Sequence, residues 1–289
     1  MFLEQVIAGL TLGSTYALLA LGYSMVFGVL SFVNFAHGDV AVVGAYLAWL
    51  PYVNWGWGFL PSMLFGIAGG VALGVFMEKI GYVPLRKASR LAAILVSLGF
   101  SFVIATMLQL TFTTEPKHMP EVFEIHTYQI LNTSVNSVQG LILLLSLVFM
   151  SGLHLFVQKT RVGMVMRATS LDKDTAGLMG VNVNNVISLT FAIGSGLGVI
   201  AAIMIAIYYG TVYPTMGSII GIKAFTAVIL GGAGSIPGAV VGGLLMGLVE
   251  SLGGAYISTA YTNAIAFFML ILTLLLRPAG LLGRTISKV

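Results

Sequence analysis

KTRVGMVMRATSLDKDTAGLMGVNVNN, Lys159 to Asn185, is the largest polar island in the sequence and stands between two long apolar stretches. Its pattern predicts a short helix from Leu171 to Met179. Ser170 is placed to cap the N-terminus, Asp172 and Asp174 complement the positive end of the helix dipole, and Gly180 offers a left-handed stop after Met179. A plain connection between two spans needs no such delimiting. A polar helix of about two to three turns, held at one end of an apolar protein, suits contact with a soluble partner.

The surrounding composition places the chain in a bilayer. Only 8% of its 289 residues are charged and 58% are hydrophobic, with a mean hydropathy of +1.03; soluble domains carry roughly 25% charged residues. Charge-free stretches run from Gln5 to Ala36, Val40 to Met77, Leu91 to Thr114, Ile125 to Gln158, Thr175 to Ile222, Ala224 to Val249 and Ser251 to Leu276. A span needs about 20 such residues, so several of these hold two crossings. The N-terminus lacks the basic region of a signal peptide, so the first apolar segment is expected to stay in the mature protein. The net charge of +4 does not mark a nucleic-acid binder, because the basic residues fall mostly in loops. Cysteine is absent, which excludes disulfides and thiolate metal sites. No histidine pair has metal-site spacing on one helix face, so neither a metal nor another cofactor is expected.

Lys79, Arg86, Lys87 and Arg90 mark one cytoplasmic loop, Lys159, Arg161, Arg167 and Lys173 a second, and Arg277, Arg284 and Lys288 place the C-terminus inside. The segment from Thr113 to Val135, with Glu115, Glu121 and Glu124 against Lys117, falls outside. Crossings are then expected near 6–30, 40–56, 59–78, 92–112, 137–158, 186–208, 216–233, 237–255 and 261–276, with an external N-terminus. Lys223 interrupts the seventh, and a half-crossing there would reduce nine to eight. The expected architecture is therefore a single all-α transmembrane domain, residues 1–289, with eight or nine segments, broken or re-entrant elements and a cytoplasmic helix.

Two stretches break the apolar pattern: Asn34-Phe35-Ala36-His37-Gly38-Asp39, and Gly231-Gly232-Ala233-Gly234-Ser235-Ile236-Pro237-Gly238. Non-helical backbone at membrane depth survives only where protein or a water-filled cavity satisfies it, and paired broken helices point to a transport path. Each break precedes a helix rich in small residues, a faint internal repeat. Either these stretches are such breaks, or both are tight turns at the cytoplasmic surface. Asn34, His37, Asp39 and Ser235 are on the first reading candidates for the path or its gate; on the second, Asn34 and Asp39 cap helix ends. Tyr16, in mid-span, is free to donate its hydroxyl to a solute or to a neighbouring helix. Ser14 and Thr15 are expected to bond their own helix carbonyls. Lys223 and Glu250 sit at matching depths below the outer ends of their segments. Either they pair across adjacent helices and hold an external gate, or Lys223 snorkels outward and Glu250 faces water separately.

Tyr16-Ala17-Leu18-Leu19-Ala20-Leu21-Gly22-Tyr23, then Asn34-Phe35-Ala36-His37-Gly38, Arg167-Ala168, Ala176-Gly177-Leu178-Met179-Gly180-Val181, Lys223-Ala224-Phe225 with the following glycine run, and Arg277-Pro278-Ala279-Gly280-Leu281-Leu282-Gly283 appear in order along the chain. Together they resemble the permease subunit of branched-chain amino acid ABC importers, the LivH type, over nearly the whole length. The resemblance implies a multi-pass protein of the bacterial inner membrane. It implies a second related permease, two cytoplasmic ATPase subunits and a periplasmic substrate-binding protein as partners. The island helix then becomes the coupling helix, with Arg167, Asp172, Lys173, Asp174, Gly177 and Gly180 as its contact residues.

What the sequence lacks agrees with that expectation. It holds no Gly-x-x-x-x-Gly-Lys-Ser/Thr phosphate loop, so energy from ATP has to come from other chains. An intramembrane enzyme is disfavoured by the lack of a nucleophile or metal constellation. A channel or receptor leaves the capped helix unexplained, and an ion-coupled secondary transporter would work without ATPases. Similar permeases serve amides, urea and other small solutes. The scarcity of charge inside the spans favours a neutral or zwitterionic solute.

Overall fold

A computed structural model describes residues 2–85, 89–122, 126–130 and 133–283. Arg86, Lys87, Glu124, Arg284 and Lys288, used above as topology markers, lie outside the described residues.

The long helices are α1 (Phe2–Leu30), α2 (His37–Asn54), α3 (Phe59–Met77), α4 (Arg90–Phe112), α5 (Ser137–Lys159), α8 (Val183–Tyr209), α9 (Met216–Gly231), α10 (Ile236–Tyr256) and α11 (Thr262–Leu276). Between α5 and α8 run the short helices α6 (Arg161–Leu171) and α7 (Lys173–Leu178). A π-helical turn, Glu78–Tyr82, continues α3. Among the described residues seven helices are long and apolar enough to cross a membrane by themselves. The two long helices outside that group are α2, which follows the first sequence break, and α9, which precedes the second. At 16 residues α9 spans about 24 Å, less than the roughly 30 Å hydrocarbon core.

Burial sorts the helices into centre and periphery. In the most apolar windows of α1 and α8, 78% and 83% of residues are buried, against 22% in α3 and α4 and 28% in α5. α1 and α8 therefore form the centre, and the outer helices turn leucine, phenylalanine and valine towards lipid. Small residues permit a close crossing between α1 and α10. A Cβ on Gly247 would stand 2.2 Å from the Gly13 nitrogen, so neither position tolerates a side chain.

End-to-end contacts show which helix ends share a level. Near one end of the bundle, the Ser24 hydroxyl of α1 donates to Ser235 O before α10, and Leu281 and Leu282 donate to Leu230 O and Gly231 O. At the other end, Ser251 donates to Gln5 O, and Trp49 Nε1 to His118 O. There β1 (Lys117–His118) pairs antiparallel with β4 (Thr211–Val212), and β2 (Thr127–Ile130) with β3 (Thr133–Asn136). The first end carries Lys79, Lys159, Arg161, Arg167, Lys173 and Arg277; the second carries Glu4, Glu115 and Glu121 with Lys117.

Candidate functional site

The polar island forms two helices rather than one. Gly163, Met166 and Thr169 recur at helical spacing and turn α6 onto the bundle, while Arg167 Nη1 donates to Val157 O and fastens it to α5. This corrects the expected cap: Ser170 lies inside α6, its hydroxyl donating to Arg167 O. The N-cap of α7 is Asp172. Its carboxylate accepts from the Asp174 and Thr175 amides at 2.9 and 3.0 Å and from the Thr175 hydroxyl at 2.7 Å. The Thr175 amide and hydroxyl, with the Asp174 amide, hold the Asp172 carboxyl below its ordinary value. The stop is as expected: Gly180 has φ +85°, and the Val181 amide returns to Ala176 O.

Only Ala176 of α7 is buried. Leu171, Leu178 and Met179 are 79%, 88% and 80% exposed, an apolar cluster on an otherwise charged end, with open space over Gly177. Lys173 is half-buried and Asp174 exposed. Between α7 and the bundle lies a cavity of about 870 Å³, lined among others by Phe32, Tyr82, Lys173, Asp174 and Ile187.

The first break lies inside the bundle. Asp39 Oδ2 accepts from the Ser101 hydroxyl of α4, about 16 Å along that helix from Arg90. The His37 ring packs on Tyr23 with centroids 4.6 Å apart and sits beside Gly198, about 22 Å into α8. A surface turn would not reach these depths, and the tight-turn reading fails here. Asn34 Oδ1 accepts from the Ala36 amide at 3.2 Å and the Tyr82 hydroxyl at 2.8 Å, so Asn34 does cap the turn, in a buried setting. His37 Nε2 and Asp39 Oδ1 are buried without a hydrogen-bond partner among the described residues.

The second break is built differently. Gly232 and Gly234 take φ +111° and +82°, the Gly231 and Gly238 backbones touch, and Ser235 caps α10 by accepting from the Gly238 amide. That stretch is the turn between α9 and α10, so the two breaks are not equivalent in form.

The remaining candidates converge. Lys223 Nζ of α9 and Glu250 Oε1 of α10 are 2.6 Å apart, with side chains 9% and 5% exposed, and the Lys223 ammonium stands 5.8 Å from the centre of the Tyr16 ring. Separate snorkelling is thereby excluded. Tyr16 is itself buried, so all three side chains share one enclosed position in mid-bundle. Ser14 and Thr15 bond their own helix carbonyls, as expected. Sequence reasoning missed Glu78, fully buried in the π-helical turn and accepting from Ser188 of α8 at 2.8 Å. Its neighbour Lys79 made the pair read as a loop; the charge-free Val40 to Met77 run ending one residue earlier was the available signal.

Residues 5–274 match the family described as the branched-chain amino acid transport system permease component. The chain belongs to this family. The high-affinity branched-chain amino acid transport system permease protein LivH of Escherichia coli K12 is 37% identical, over 98% of this chain and 96% of that protein. The permease protein BraD of Pseudomonas aeruginosa PAO1 is 39% identical over the same shares. A solved ABC transporter of metal-chelate type, in an inward-facing conformation, superposes with a TM-score of 0.52 at 19% identity, covering 95% of this chain and 87% of that one. That likeness shows the fold alone: a polytopic, all-α membrane protein.

Proposed function

We propose that this permease carries branched-chain amino acids inward across the bacterial inner membrane, driven by ATP hydrolysed on separate subunits. The observation that carries the reading is α7: a helix capped at both ends whose Leu178, with Met179 just after it and Leu171 at the end of α6, is exposed, on a chain of this family. Exposed apolar side chains clustered on a small polar helix are what a protein partner covers. Two ATPase subunits would be contacted here, one through each of two permeases, and a binding protein would deliver solute at the opposite end. The basic residues at the α7 end support a cytoplasmic position for that end, and with it an internal C-terminus and an external N-terminus. Asn34, His37 and Asp39 then border the path at the buried break, beside the first turn of α9, with the Lys223–Glu250 pair about two turns further along that helix.

The test is reconstitution of the chain with its gene neighbours. ATP-dependent uptake of L-leucine should require the ATPases, the second permease and the binding protein together. Uptake driven by an ion gradient with this chain alone would overturn the reading.

A further inference from the structure

The burial of a lysine and a glutamate inside a membrane protein requires a reason beyond packing, since an apolar pair would fill the same space without desolvating two charges. The geometry points to Lys223 and Glu250 as a recognition site for zwitterionic solutes within the permease itself: the α-ammonium replaces Lys223 at Glu250, and the α-carboxylate takes Lys223. This rests on the proposed transport reading and adds the solute contact to it.

Four observations carry the assignment. The pair is neutral as a unit and joins two different helices, so it can open without leaving either charge alone if a solute supplies both complements. An α-amino acid carries those two charges across a single carbon; a purely anionic or cationic solute would leave one protein charge unpaired in a desolvated site. Glu250 Oε2 is buried without a hydrogen-bond partner among the described residues, an acceptor already oriented for a donor such as an ammonium. The short helix α9 carries Lys223 two turns from its own start and is entered by irregular chain after β4, the kind of backbone that borders a cavity at membrane depth.

The decisive variant removes both charges while keeping shape: Lys223→Met with Glu250→Gln, in the transporter assembled with all its subunits in proteoliposomes. If the pair recognises solute, ATP-driven L-leucine uptake falls more than tenfold although the subunits still co-purify. Uptake within twofold of wild type would assign the pair to packing and overturn the inference, leaving the transport reading intact; failure of the wild-type assembly to take up L-leucine would instead overturn that reading. A second measurement decides the matter should the neutral pair not assemble. Infrared difference spectra of the wild-type assembly in nanodiscs should show a carboxylate band, absent in Glu250→Gln, that shifts on adding L-leucine but not isocaproate or isoamylamine, which each carry one of its charges. A band that ignores L-leucine, or answers equally to all three, refutes the site.

Discussion

Exchanging the charges of Lys223 and Glu250 tests whether their pairing is energetic or incidental. Both side chains are less than a tenth exposed, so the solvent screening that reduces surface ion pairs to a fraction of a kcal/mol does not apply. Lys223→Glu sets two carboxylates against each other in a desolvated site, and Glu250→Lys sets two ammonium groups there. Each single variant is therefore expected to lose at least the about 3–5 kcal/mol typical of breaking a buried pair. The double exchange restores opposite charges but moves the cation off the Tyr16 ring, forfeiting a contact worth about 0.5–2 kcal/mol. The double variant should thus be roughly as stable as wild type less one or two kcal/mol, with a coupling of about 4 kcal/mol or more, above the usual 0.5–3 kcal/mol for neighbouring residues.

Thermal unfolding in detergent measures the stability side, where each single variant should melt on the order of 10 °C lower and the double variant should recover most of that. Uptake in proteoliposomes should follow the same order, with both singles impaired and a good part of the activity returned by the exchange. Single-variant losses that merely add in the double variant would refute the energetic pairing, and with it the view that α9 and α10 are held together at this point.

A Cβ placed on Gly177 would meet nothing within 4 Å, so Gly177→Trp should insert and fold normally yet abolish uptake and co-purification with the ATPases, as should Asp174→Lys; intact assembly in both would remove α7 from the contact. Cysteine at Asn34, His37 or Asp39, in a protein with none of its own, should react slowly with small hydrophilic thiol reagents at rest, because all three positions are at most 3% exposed, and faster when ATP is turned over; labelling indifferent to nucleotide would take them off the path. The Asp172 cap gives a pH prediction. A carboxyl held below its unfolded value contributes stability that is complete above that value and lost as pH falls through the lower, folded one. Hydrogen-exchange protection of the Asp174 and Thr175 amides should therefore persist through mildly acidic pH and fade only below the ordinary aspartate range, and Asp172→Ala should remove it at every pH.

The periphery of the fold was legible from charge and length, because a stretch of about 20 uncharged residues in a bilayer has few alternatives to a helix. The matching depths of Lys223 and Glu250 were legible for the same reason: helical rise converts residue number into height when both helices are anchored at the same rim. Three features were not. Ser170 resembled a cap because capping is read from a residue's type and its neighbours, whereas the apolar face of α6, carrying Met166 and Thr169 onto the bundle, extends the preceding helix through it and passes the role to Asp172. The burial of Glu78 depends on Ser188, more than a hundred positions away, a contact no local pattern encodes.

The depth of the first break was a choice that the sequence left open. Between Gln5 and Ala36 no charged residue marks where the bilayer ends, and hydropathy cannot distinguish a helix that leaves the membrane at Leu30 from one that stops within it. What places Asp39 inside is its hydrogen bond to Ser101 and the Gly38–Gly217 backbone contact, both made by segments remote in sequence. Such a contact requires glycine on both sides: a Cβ on Gly38 would stand 2.2 Å from Gly217 O, and one on Gly217 2.7 Å from the Asp39 Cα. The first turns of α2 and α9 are therefore locked together through backbone, and neither can shift alone.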